Sequence, residues 1–172
     1  MKVDFEKFYW AIKIAVLLLF VAVLVFLTVQ KIVLSGSLEY NVAFNQPNKF
    51  VYGLYPEGRV IVDAGGWKLV GEPVYFKIYA PKKFKKADVT LKYIAAKNSQ
   101  LAFGVKTNVV AEVPYELQKL GAIGKMVEQT LTFDLSNASF ENNKLQFIVS
   151  APGVEKLAEP LVIYGARFVL SQ

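Results

Sequence analysis

Trp67 follows Gly65-Gly66, with Tyr52 and Tyr55 a short way upstream and Asp63, Glu57 and Arg59 close by. Sugars bind by laying their CH faces on aromatic rings while polar groups fix their hydroxyls. Loop-borne Trp67, Tyr52 and Tyr55 with Asp63 therefore make a candidate ligand site for a glycan. The competing reading of Trp67 is packing: a large aromatic plugging the end of a β-sandwich.

A second cluster is basic. Lys82, Lys83, Lys85 and Lys86 crowd one turn, read as a hairpin tip, and Phe84 sits among them. Such a run suits phospholipid headgroups or an anionic polymer, with Phe84 favouring contact. The plainer reading is a solvated turn whose lysines protect a sheet edge.

Other chemistries lose their residues. The chain has no His and no Cys, which removes the commonest general base, the commonest metal ligand and any disulfide. Ser-His-Asp and Cys-His catalysis go with them, and zinc, copper and haem sites lose their usual ligands. No metal and no cofactor is expected. Glycoside hydrolysis needs two carboxyls about 5–9.5 Å apart, and no acid here sits in a recognisable motif. Glu112 and Glu116 would share a face of a helix, as solvated residues. Gly104, Gly121 and Gly124 lack the Gly-Lys-Ser/Thr ending of a phosphate loop. Asn137-Ala138-Ser139 matches a glycosylation sequon, treated as chance. The chain is read as non-enzymatic.

The elements that must carry these residues are mostly strands. Leu38, Tyr40, Val42 and Phe44 alternate with Glu39, Asn41 and Ala43. Val74, Phe76 and Ile78 alternate in the same way, opposite Tyr75, Lys77 and Tyr79. Val89, Leu91 and Tyr93 repeat the pattern, as do Leu131, Phe133 and Leu135, and Leu145, Phe147 and Val149. Period two over such lengths means half-buried strands. Arg59 to Asp63, Trp67 to Val70 and Leu101 to Val105 add shorter ones. Leu161 to Leu170 reads as a strand covered on both faces. Pro114 to Lys125 reads as a short helix through Tyr115, Leu117 and Leu120. Eight or nine short strands with Gly, Pro and Asn between them predict an all-β domain, an antiparallel jelly-roll-like β-sandwich.

One N-terminal transmembrane α-helix precedes that sandwich. Ile14 to Val29 is uncharged, and extension back through Trp10 to Phe8 leaves only Lys13 inside the run. At ~1.5 Å per residue this length matches a hydrocarbon core of roughly 30 Å. Lys13 can snorkel to the headgroups, Phe8, Tyr9 and Trp10 form an interfacial cluster, and Lys31 marks the far boundary. Lys2, Lys7 and Lys13 precede the run, so the N-terminus is expected in the cytoplasm of a single-pass cell-membrane protein. Its length favours an uncleaved signal anchor over a cleaved signal peptide. The division expected is residues 1–34, cytoplasmic stub and anchor, and residues 35–172, an exported domain.

The whole chain carries +6, and the stretch from Ser35 to Gln172 has 16 basic and 12 acidic residues. That balance suits an anionic membrane or wall polymer and is too weak to argue for nucleic acid.

GEPVYFKIYAPKKFKKADVTLKY (Gly71 to Tyr93) resembles a paired-strand block of galactose-binding-like jelly rolls. LQFIVSAPG and LVIYGARFVL (Leu145 to Gly153, Leu161 to Leu170) are similar to their closing strands. The order of anchor, SGSLEY, PNKF, PEGRV, GEPVYF and final strand also resembles an uncharacterised family of single-pass bacterial surface proteins. The resemblance implies a binding module for glycans, lipids or proteins, often with calcium. Calcium loops need clustered acids, and Asp63 stands nearly alone, so no calcium site is carried over. The expected partners are the lipid bilayer and an envelope glycan or a membrane or envelope protein. The other function considered is a structural or assembly subunit of an envelope complex for secretion, a pilus or a surface layer.

Overall fold

The computed structural model describes residues 5–29, 36–63, 65–97, 99–110, 112 and 114–172. The chain divides into two compact units, Met1–Leu34 and Ser35–Gln172.

The first unit holds α1 (Phe5–Val29). Its stretch Phe8–Leu27 is long and apolar enough to cross a membrane, by length and composition. Trp10 and Ile14 are exposed with the other apolar side chains, and the Lys13 ammonium lies 4.4 Å from the Tyr9 ring centroid and 5.4 Å from that of Trp10. Val29 is the last helical residue. Lys31, expected at the far boundary, lies outside the described residues.

The second unit is built from β1 (Ser37–Ala43), β2 (Val51–Tyr55), β3 (Val60–Asp63), β4 (Gly66–Leu69), β5 (Val74–Tyr79), β6 (Lys86–Ile94), β7 (Leu101–Lys106), β8 (Tyr115–Leu120), β9 (Met126–Asp134), β10 (Lys144–Ser150) and β11 (Leu161–Ser171). They form two antiparallel sheets. One runs β3-β4-β11-β6-β9, with β1 also paired to β11. The other runs β2-β5-β10-β7-β8. This is the jelly-roll β-sandwich that the alternation predicts.

The apolar halves of the alternating strands meet between the sheets. Phe76, Phe103, Phe133, Phe147 and Phe168 are all buried. Phe147 is the hub: its ring lies 5.4 Å from Phe103 and from Phe168, 5.8 Å from Phe76 and 6.4 Å from Phe133. Burying one such side chain contributes roughly 1.5–3 kcal/mol, and each offset or edge-on ring pair adds to that.

Four expectations change. Pro114 to Lys125 is not a helix: its core is β8, antiparallel to β7 with Lys106 opposite Tyr115 and Gly104 opposite Leu117. The pairing of β7 decides the outcome, because Tyr115 and Leu117 also fit a period of two. Glu112 and Glu116 therefore share no helix face. A strand unforeseen in the sequence, β2, carries Tyr52 and Tyr55, so neither is loop-borne. The lysine turn is no hairpin, since it links β5 in one sheet to β6 in the other. Finally, β11 is covered mainly on one face: Leu161, Ile163, Ala166, Phe168 and Leu170 are buried, and the residues between them are not.

Candidate functional site

The outward side of the five-stranded sheet gathers the unusual residues. Along β5, Val74, Phe76 and Ile78 enter the core, which turns Tyr75, Lys77 and Tyr79 outward. The register carries that side across the sheet. Tyr55 lies opposite Tyr75 and Tyr52 opposite Lys77 on β2. Ile148 lies opposite Tyr75 and Gln146 opposite Lys77 on β10. Gly104 pairs with Ile148 on β7, and Lys106 faces Tyr115 on β8.

Three tyrosines form a connected array over these strands. The Tyr55 and Tyr75 rings stack at 5.1 Å, and the Tyr75 and Tyr115 rings lie 5.7 Å apart although two strands separate them. The rings must lean toward each other over β10 and β7. Gly104 favours this: a Cβ there would run into the Glu116 carbonyl oxygen, so glycine lets β8 close in. Beneath the rings, Ile148 is 5% and Gln146 8% exposed, although both point away from the core. Tyr55 stays open at 37%.

Polar groups line the array. The Gln146 amide Nε2 donates to the Tyr115 hydroxyl at 2.7 Å. Glu141 accepts from Lys106 at 2.7 Å and from Lys77 at 3.3 Å. Those two bonds hold its carboxyl below the usual range. The Lys144 ammonium sits 4.1 Å from the Tyr52 ring centroid, a cation–π contact. At the far end, Glu72 accepts from the Ser150 hydroxyl at 3.0 Å and from the Ala151 amide at 3.2 Å. Burial pushes the Tyr115 phenol up to about 12, with the neighbouring Tyr55 and Tyr75 adding to the shift, and burial raises Tyr55 too. At neutral pH both phenols are protonated donors. The face thus offers open ring surface, hydroxyl and amide donors and acceptors, and ammonium groups. That is what recognition of a sugar ring asks for: apolar stacking plus directed hydrogen bonds.

The other expected site residues fall elsewhere. Trp67 is 4% exposed. It lies flat on Phe44, centroids 3.7 Å apart, and edge-on to Phe76 at 5.2 Å. A recess of about 220 Å³ beside it is lined by Phe44, Val51, Leu54 and Val62 with Gln46 and Asn48. At 4% exposure, with Phe44 stacked on one face, Trp67 leaves no open ring for a sugar to lie on, which corrects the expectation that it binds a ligand. Asp63 ends β3 and shapes the turn after it: its carboxylate accepts the Gly65 amide at 2.7 Å. Among the described residues, no three acidic side chains gather as metal ligands. Of the candidate ligand residues Trp67, Tyr52, Tyr55 and Asp63, the two tyrosines reach the tyrosine face.

In the basic connection, Lys83, Lys85 and Lys86 are exposed, and Lys86 is paired with Asp88 at 2.8 Å. Lys82 is half-buried, its ammonium 5.4 Å from the Phe84 ring centroid. Phe84 is only 2% exposed. Its ring belongs to the core, which overturns its expected role in surface contact.

Sequence reasoning passed over Tyr75, Tyr115, Gln146, Ile148, Lys77, Lys106, Lys144 and Glu141. The signal for the first was present, as aromatic residues on the polar side of a clearly alternating strand. Tyr115 was hidden by the helical reading of its segment.

No protein-family model matches the sequence, and no curated protein matches it. Solved structures do match. The second N-terminal cellulose-binding domain of Cellulomonas fimi β-1,4-glucanase C superimposes with a TM-score of 0.52 at 11% identity, covering 81% of this chain and 98% of that one. A CBM35 domain from Cellvibrio japonicus Abf62 gives a TM-score of 0.45 at 14% identity, over 78% and 96%. The CBM22-1 xylan-binding domain of Paenibacillus barcinonensis Xyn10C gives 0.43 at 9%, over 78% and 94%. The first likeness shows the fold, an antiparallel jelly-roll-like β-sandwich.

Proposed function

We propose that this protein is a membrane-tethered, non-catalytic carbohydrate-binding module. In this reading α1 is a single-pass anchor with a cytoplasmic N-terminus, and residues 35–172 form an extracytoplasmic domain that binds an envelope glycan. The observation that carries it is the Tyr55–Tyr75–Tyr115 array, with Gln146 bonded to Tyr115 beneath it. Tyr55 keeps much of its ring open on the solvent side of the sheet, and stacking on a sugar ring would cover it. The fold likeness to a cellulose-binding domain supports the same reading. The absence of His and Cys from the sequence and of any catalytic motif supports a binder over an enzyme. Lys83, Lys85 and Lys86 are the exposed groups that would meet anionic headgroups in this arrangement.

The test is calorimetric titration of the full chain in neutral detergent against a panel of plant, fungal and bacterial polysaccharides. A positive polymer is then titrated against Tyr55→Ala, Tyr75→Ala and Tyr115→Ala. Each stacking ring removed should weaken binding by roughly tenfold or more, as loss of a central aromatic contact does. Binding that all three variants retain in full would overturn the assignment of this face.

A further inference from the structure

We propose that the glycan taken by the tyrosine face is acidic, a polysaccharide bearing carboxylates, and that Lys77, Lys106 and Lys144 read its charge. The inference rests on the glycan-binding reading above and goes on to name the ligand's class.

Each tyrosine at the polar end of the array has an ammonium beside it. Lys77 lies opposite Tyr52 on one side and Gln146 on the other. Lys106 lies opposite Tyr115. Lys144 holds its ammonium against the Tyr52 ring. A fourth lysine, Lys119, extends the same side of β8. Among the described residues, two carboxylates bond to this face. Glu72 is taken up by Ser150 and Ala151 at the far end. That leaves Glu141 alone beside Lys77, Lys106 and Lys144.

Glu141 shows what the lysines do with a carboxylate. Lys106 and Lys77 grip it from two sides, their side chains only 28% and 30% exposed. One negative charge between two positive ones, with a third ammonium nearby, leaves the site cationic. Partly covered ammonium groups are stabilised by an anion at hydrogen-bonding distance. A uronic-acid carboxylate arriving on a sugar stacked over Tyr52 or Tyr115 would meet that need. It would bond to Lys144 and share Lys77 or Lys106 with Glu141. A neutral chain would leave the charge unmatched.

The decisive comparison keeps the polymer backbone and removes its charge. The full chain in neutral detergent is titrated with polygalacturonate, with the same polymer fully methyl-esterified, and with a neutral β-1,4-glucan. Polygalacturonate should bind about tenfold or more tightly than its ester at low salt, and the gap should shrink near 1 M salt, where the screening length is only ~3 Å. Lys77→Gln, Lys106→Gln and Lys144→Gln together should narrow the ratio of the two affinities. Glu141→Gln should widen it, a gain that misfolding does not imitate. Equal affinity for acid and ester, or a ratio indifferent to all four substitutions, would overturn the acidic class while leaving a glycan-binding face intact. Failure of every polymer, the neutral glucan included, would instead remove the glycan reading and the inference with it.

Discussion

The two outward faces of the sandwich are made from the same kind of strand and are finished differently. On the six-stranded sheet the outward residues settle their hydrogen bonds and charges with neighbours. Arg167 donates to both Glu39 oxygens, at 2.8 and 3.1 Å. Thr90 and Thr130 share a bond of 2.8 Å across β6 and β9. Asp88 accepts from Lys86 at 2.8 Å and from Thr132 at 2.6 Å. These are short polar pairs on a solvated face. On the five-stranded sheet, aromatic rings lie over Gln146 and Ile148 and keep water from them. Two sheets sharing one core therefore differ in what they leave for a ligand. The first is complete in water, and the second carries ring surface and ammonium charge in excess of its own needs.

The comparison can be broken most severely from within. Phe147 touches phenylalanines of both sheets, so Phe147→Ala should cost about 3–5 kcal/mol of stability and loosen both faces together. Denaturant melts followed by far-UV circular dichroism and by tyrosine fluorescence would read the two losses, and coincident transitions are expected.

Alkali should weaken the tyrosine face. The folded Tyr115 phenol is pushed up to about 12, above the ~10 of an unfolded tyrosine. The unfolded chain then loses its proton first, so this stability is intact below pH ~10 and is lost as pH rises toward 12. Thermal melts at stepped alkaline pH should show the decline, and Tyr115→Phe should soften it.

The smallest effect belongs to the polar face. Thr90→Val removes one cross-strand bond and should change stability by no more than about 0.2–1 kcal/mol. Titration with whichever polymer binds should give the wild-type affinity. A substantial loss there would mean that the ligand uses the six-stranded sheet, and the contrast between the faces would fall.

The strands were legible where alternation was clean. Val74 to Tyr79 and Leu131 to Asp134 state both their element and their inward face. Alternation failed at β2, where the pairing register shifts between Tyr52 and Tyr55. That irregularity puts residues three apart on one side, which neither a strand nor a loop pattern reveals. It failed again at β8, where Tyr115 and Leu117 fit a strand as well as a helix and only the partner strand chooses. The candidate site was less legible, because it is a property of sheet order. Tyr75 and Tyr115 lie far apart in sequence and come together only by leaning across β10 and β7. Trp67 has the residue type a sugar site wants, but Phe44 and Phe76 claim its surface. The lysine run looked like a hairpin tip because β5 and β6 are consecutive, whereas they belong to opposite sheets.

β1 pairs with β11 along its whole length, from Ser37 opposite Ser171 to Ala43 opposite Gly165. Because the chain enters the sandwich at Ser37, a force transmitted from the N-terminal side arrives on this strand. A pull along the strand axis strains the rungs of the ladder in shear, all at once, where a pull across it would open them one by one. The first strand of the domain is in this sense a mechanical clamp.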